Sequence, residues 1–148
     1  MIYWFTGQPG HGKTTLAKML KEYLENKEFR KNVFHVDGDD MRELLMNKDY
    51  SRKGREQNIK TAQQISLYLQ NKGFDVVVSL VSPYREIRED LKRLTDVTEI
   101  YVTTSEKRGR ENYHVSEYET PLDNFIEIDT TEKSELGSLR ELIEKLKL

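Results

Sequence analysis

Cysteine is absent from this 148-residue chain, so disulfides and thiolate metal sites are excluded and a reducing cytoplasm is the expected setting. Charge of one sign is missing too. The 24 Lys and Arg nearly balance 26 Asp and Glu, leaving a net −2, and no global field draws the chain toward nucleic acid or a membrane surface. No apolar run is long enough to span a bilayer, and no repeat, low-complexity tract or linker divides the chain. Residues 1–148 therefore read as a single domain with one buried core. The charged share, 34%, goes with well-solvated helix faces.

What is present begins at once. The apolar run Ile2-Tyr3-Trp4-Phe5 leads into Gly7-Gln8-Pro9-Gly10-His11-Gly12-Lys13-Thr14, a complete Gly-x-x-x-x-Gly-Lys-Thr phosphate-binding loop between a strand and a helix. A core strand in this position is not a signal peptide. The glycines let backbone N–H groups converge on a polyphosphate without interference from a Cβ, and the helix N-terminus adds unsatisfied donors and partial positive charge. Gly7, Gln8, Gly10, His11, Gly12, Lys13, Thr14 and Thr15 are the expected ATP-binding residues. Lys13 would reach the β- and γ-phosphates, the Thr14 hydroxyl would ligate Mg²⁺, and His11 would contribute its backbone N–H rather than its imidazole.

Strands and helices alternate beyond the loop. Leu16, Met19, Leu20, Tyr23 and Leu24 form a helical stripe, and Val33–Val36 reads as a second strand. A short helical segment around Met41–Met46, a polar loop at Asn47–Gly54 and a long helix from about Arg55 to Asn71 follow. Asp75–Val81 has the composition of a central parallel strand covered on both faces. Ser82-Pro83 reads as the cap and start of another helix, with Ile87, Leu91 and Leu94 on one side. Thr98–Val102 and Phe125–Ile128 complete five strands around an irregular segment, and Leu136 to Leu146 mark a closing helix. This pattern predicts a three-layer α/β/α fold of the phosphate-loop NTPase kind, with a mainly parallel five-stranded sheet and ligands outside its strands' carboxyl ends.

The chemistry-bearing residues fall at those ends. Asp37 and Asp39 could orient Mg²⁺ through water and take a proton from an attacking hydroxyl, which makes them, with Lys13, the candidate catalytic residues. The same Asp-Gly-Asp is also a turn suited to capping a helix. Arg42, Arg52, Arg55, Arg85 and Arg88 suit an anionic acceptor through their planar forks; for Arg52 and Arg88, exposed pairing with the abundant glutamates reads equally well. Tyr50 could stack on a base or anchor its loop. No apolar strand ends in the aspartate of a Walker B motif, so the metal would rest on Thr14, water and Asp37 or Asp39.

Five blocks in order resemble the adenylylsulfate kinase family: the phosphate loop, Asp37–Arg42, Tyr50–Ile59, Val81–Arg88 and Ser116–Pro121. The resemblance implies an ATP- and Mg²⁺-dependent kinase that phosphorylates the ribose 3′-hydroxyl of adenosine 5′-phosphosulfate. It implies that Asp39, with Asp37, activates that hydroxyl. Arg42, Arg55 and Asn58 would hold the acceptor's anionic group and ribose, Tyr50 would stand where a base-stacking phenylalanine is usual, and Ser82 and Arg85 would line the same pocket. Two departures stand out. The basic lid is reduced to Thr103–Val115, with Lys107, Arg108 and Arg110 as its cations, and Lys60-Thr61 replaces a pair of arginines. They leave open a different nucleotide-like acceptor, such as cytidine diphosphoramidate, and a nucleotide-binding module without catalysis as a further reading. A small-molecule nucleotide is the expected partner, with a homodimer possible and a polynucleotide disfavoured by the near-neutral charge.

Overall fold

The computed structural model describes residues 1–148. Five parallel strands form one sheet: β1 (Ile2–Thr6), β2 (Val33–Asp37), β3 (Asp75–Ser79), β4 (Val97–Thr103) and β5 (Phe125–Asp129), in the spatial order β2-β3-β1-β4-β5. Between them run the helices α1 (Lys13–Asn26), α2 (Gly38–Leu44), α3 (Arg52–Asn71) and α4 (Arg85–Leu94), with α5 (Glu135–Leu146) closing the chain. The expected parallel sheet with helices on both faces is the observed architecture. No helix is long and apolar enough to cross a membrane.

Two-residue periodicity explains why the central strands read as unbroken apolar runs. In β1, Ile2 and Trp4 join Val76, Val78, Ala62 and Leu91 in a core beneath α3 and α4. Tyr3 and Phe5 point the other way and join Val77, Leu16, Leu20 and Leu142 beneath α1 and α5. Each strand thus feeds two cores, and its backbone is fixed from both sides.

Several boundaries depart from the sequence pattern for identifiable reasons. Helix α2 starts at Gly38 rather than near Met41, because the Asp37 side chain caps it by accepting a hydrogen bond from the Asp39 N–H. Helix α3 starts at Arg52 rather than Arg55, because the Ser51 hydroxyl accepts from the Gly54 N–H. Ser82-Pro83 does not cap α4. Tyr84 precedes the helix without a side-chain cap, and the distant Glu119 carboxylate accepts from the Arg85 N–H at 2.9 Å. The apolar side of α4 stops at Leu91, since Leu94 is 72% exposed.

The register sets the site. Asp37 lies directly opposite Ser79, and Ser79 opposite Phe5, so the ends of β2, β3 and β1 meet along one edge.

Candidate active site

The loop leaving β1 turns where only glycine fits. Gly7 has φ +151°, and a Cβ there would stand 2.3 Å from the Val102 carbonyl oxygen. Gly12 sits in the left-handed region just before α1, with no side-chain cap and no acidic residue in the first turn, so the helix N-terminus keeps its donors and positive end for an anion. Lys13 is buried, and its ammonium donates to the Gln8 carbonyl at 2.9 Å. Burial pulls its pKa down to about 8, against the opposing attraction of Asp37 and Asp39. His11 is also buried, its ring edge-on to His114 at 5.1 Å. Burial first, then the charges of His114, Lys13 and Arg108, lower its pKa to about 4 and keep the imidazole neutral.

Behind the loop lies a hydrogen-bonded chain. The Thr14 hydroxyl donates to Asp37 Oδ1 at 2.9 Å, and the Ser79 hydroxyl donates to the same oxygen at 2.6 Å. His35 Nε2 lies 2.6 Å from the Ser79 hydroxyl on its other side. Asp39, one residue into α2, is exposed and lines the cavity beyond. Asp37 thus caps the helix with one oxygen and accepts from Thr14 with the other.

A cavity of about 780 Å³ joins these groups to the candidate acceptor residues. Lys13, Thr14, Thr15, Asp37, Asp39 and the loop glycines Gly10 and Gly12 line it together with Arg42, Tyr50, Arg55, Asn58 and Ser82. Arg42 donates to the carbonyls of Asn47 and Asp49 and packs over the Tyr50 ring at 4.1 Å, so it builds the loop that presents Tyr50. Arg55 pairs with Glu117 at 3.0 Å. Asn58 is buried, and its side-chain oxygen has no hydrogen-bond partner, a sign of a group shaped for something besides the protein.

Not every predicted residue reaches this cavity. Gly7 and His11 shape the loop from behind. Gln8 turns away and exchanges two hydrogen bonds with Val115, its amide N–H donating to the Val115 carbonyl at 2.9 Å and its oxygen accepting the Val115 N–H at 2.8 Å. Arg85 does not line the pocket: its guanidinium donates to the Thr120 carbonyl and is spent on the chain behind α4. Arg88 is neither an exposed helix-face residue nor a substrate ligand. It is 2% exposed and forms a 2.8 Å ion pair with the equally buried Glu99. A glutamate inside the apolar run of β4 was the available signal, since such a charge requires a buried cation. Arg52 does lie on the surface, paired with Glu56. Sequence reasoning did not single out Ser79, nor Asn112 and Tyr113 of a 3₁₀ turn at Glu111–Tyr113, which line the cavity beside Arg110, nor His35, which touches Ser79 from outside it.

The adenylylsulphate kinase family model matches residues 1–128. This chain belongs to that family. The kinase is 31% identical to the cytidine diphosphoramidate kinase of Campylobacter jejuni over 133 residues, which cover 86% of this chain and 77% of that one. It is 40% identical to the adenylyl-sulfate kinase of a Picosynechococcus species over 101 residues, 67% of this chain and 56% of that protein. In fold it resembles the Mycobacterium tuberculosis APS kinase CysC solved with AMPPNP and APS, with a TM-score of 0.82 at 22% identity over 99% of this chain and 97% of that one. It is an ATP-dependent kinase on a phosphate-loop fold.

Proposed function

We propose that this kinase transfers the γ-phosphoryl group of ATP to the ribose 3′-hydroxyl of a nucleotide that carries a further anionic group, with adenosine 5′-phosphosulfate as the first candidate. The observation behind this reading is that the phosphate loop, Asp39 and the set Arg42, Tyr50, Arg55 and Asn58 line one cavity. In the proposed reaction the loop N–H groups and Lys13 hold the triphosphate in line with the acceptor. Asp39 accepts the proton of the attacking hydroxyl, the new O–P bond forms, the bond to the β-phosphate oxygen breaks, and ADP leaves. Arg55 and Arg42 balance the acceptor's charge, Asn58 binds its ribose, and Tyr50 covers its base.

Mg²⁺ prefers hard oxygen ligands and is usually held by one or two carboxylates together with substrate phosphates. Thr14 and Asp37 offer such a pair, and no cluster of three or more His, Cys, Asp or Glu residues competes with it. In this reading the ion would neutralise charge on the phosphates. Asp37 then serves the metal side, which leaves the exposed Asp39 as the base.

A second acceptor, cytidine diphosphoramidate, is favoured by the Campylobacter jejuni relative, whose similarity runs over 86% of this chain. ADP release measured across a nucleotide panel separates the two. Adenosine 5′-phosphosulfate is expected to turn over best, and Asp39→Asn is expected to abolish most of that turnover while ATP still binds. Turnover with the cytidine compound alone replaces the acceptor; no turnover with any nucleotide removes the reading altogether.

A further inference from the structure

In phosphate-loop NTPases an aspartate at a strand end commonly helps hold the metal. Here the interior strand β3 ends in Ser79, and the carboxylate comes from its neighbour β2, as Asp37. A carboxylate can only accept hydrogen bonds, and the Ser79 hydroxyl has a single proton. Its 2.6 Å contact with Asp37 Oδ1 uses that proton. The equally short contact with His35 Nε2 must then run in the other direction, with the ring N–H donating to the serine oxygen. The reverse assignment would leave two acceptor oxygens facing each other at 2.6 Å. Only one arrangement satisfies both contacts: His35 Nε2–H to Ser79, then Ser79 O–H to Asp37.

Both partners sit where they can hold a direction. Ser79 is 2% exposed, inside the sheet. His35 shares a face of β2 with Asp37 two residues on, and its side chain is mostly covered. The other donor to the same Asp37 oxygen is Thr14, the residue whose hydroxyl serves the metal in this loop type. When Thr14 turns to that task, Ser79 remains as the side-chain donor that fixes Oδ1. The charge stays on Asp37, and the His35–Ser79 pair fixes where its oxygen points.

We propose that His35 and Ser79 are positioning residues that lock the Asp37 carboxylate toward the metal–triphosphate site, a role that rests on the reading of Asp37 as the metal-side carboxylate. Partners of this kind typically contribute about 10–100-fold to metal affinity or activity. The test measures binding of a non-hydrolysable ATP analogue by calorimetry, with and without Mg²⁺, for the wild type, Asp37→Ala, Ser79→Ala, His35→Leu and His35→Gln. The Mg²⁺-dependent gain in affinity is expected to vanish in Asp37→Ala. In Ser79→Ala and His35→Leu it is expected to fall about tenfold, with metal-free affinity unchanged. Glutamine carries an N–H near the position of His35 Nε2, so His35→Gln is expected to recover most of the gain. A merely structural role would lower metal-free affinity equally and would not be rescued. The proposal is overturned alone if Asp37→Ala loses the gain while Ser79→Ala and His35→Leu keep it. Should Asp37→Ala also keep it, the reading of Asp37 fails and this proposal falls with it. If Ser79→Ala does not fold, the His35→Leu and His35→Gln pair decides.

Discussion

At the scale of single residues, Lys13 carries the clearest electrostatic consequence. With its ammonium out of water and a pKa near 8, Lys13 is partly neutral in the nucleotide-free protein at pH 8. A triphosphate in the loop favours the charged form, so binding at that pH draws a proton from solvent. Calorimetry in two buffers of different ionisation enthalpy is expected to show this uptake at pH 8, to lose it in Lys13→Met, and to find affinity declining as pH rises above 8. Lys13 and Thr14 were legible because a contiguous motif announced them, and Asp37 because Asp-Gly-Asp follows an apolar strand. Ser79 and His35 were not, because their partnership exists only across the β2–β3 register. Arg85 and Arg88 were misjudged because a helix of mixed charge does not reveal which arginine a buried carboxylate will claim.

The element that best shows this is α4. Arg88 enters the sheet from this helix, meets Glu99 on β4, and also donates to the carbonyls of Ser82 and Glu119. Lys92, one turn on, donates to the other Glu99 oxygen at 3.0 Å. One buried knot thus joins α4, β4, the strand-end turn and the chain leading to β5. Removing Arg88 leaves the buried Glu99 with Lys92 alone and strips the carbonyls of Ser82 and Glu119 of a donor, so Arg88→Ala is expected to cost about 3 kcal/mol. Urea titration checks this, and Tm should fall by roughly 6 °C or more for a domain of this size. Arg88→Met with Glu99→Leu is expected to recover part of the loss, the remainder reflecting carbonyls left without donors. The helix itself was foreseen from Ile87 and Leu91. Its start was not, because the group that satisfies the Arg85 N–H is Glu119, far along the chain.

For the molecule as a whole, acid is the expected weakness. His11 is held neutral with a pKa near 4, against about 6.5 in an unfolded chain. Burial pushes His35 in the same direction. The unfolded state therefore binds more protons between those values, and stability is lost as pH falls from about 6.5 toward 4. Urea midpoints at pH 7.5, 6 and 5 should decline in that order, and His11→Gln should flatten the decline. Alternation of strand and helix was enough to read five strands and their layers from composition. The order β2-β3-β1-β4-β5 was beyond it, and so was the placement of residues 104–123, whose contacts are scattered hydrogen bonds without a periodic pattern.

One of those contacts reaches furthest. The Gln8 amide clasps the backbone of Val115 from within the phosphate loop, and Val115 lines the same cavity as Arg42, Tyr50, Arg55 and Asn58. Two hydrogen bonds thus tie the loop to the segment after the 3₁₀ turn. Under the proposed function any coupling that runs through this tie is reciprocal: whatever factor a bound triphosphate confers on acceptor affinity, a bound acceptor must confer equally on the triphosphate.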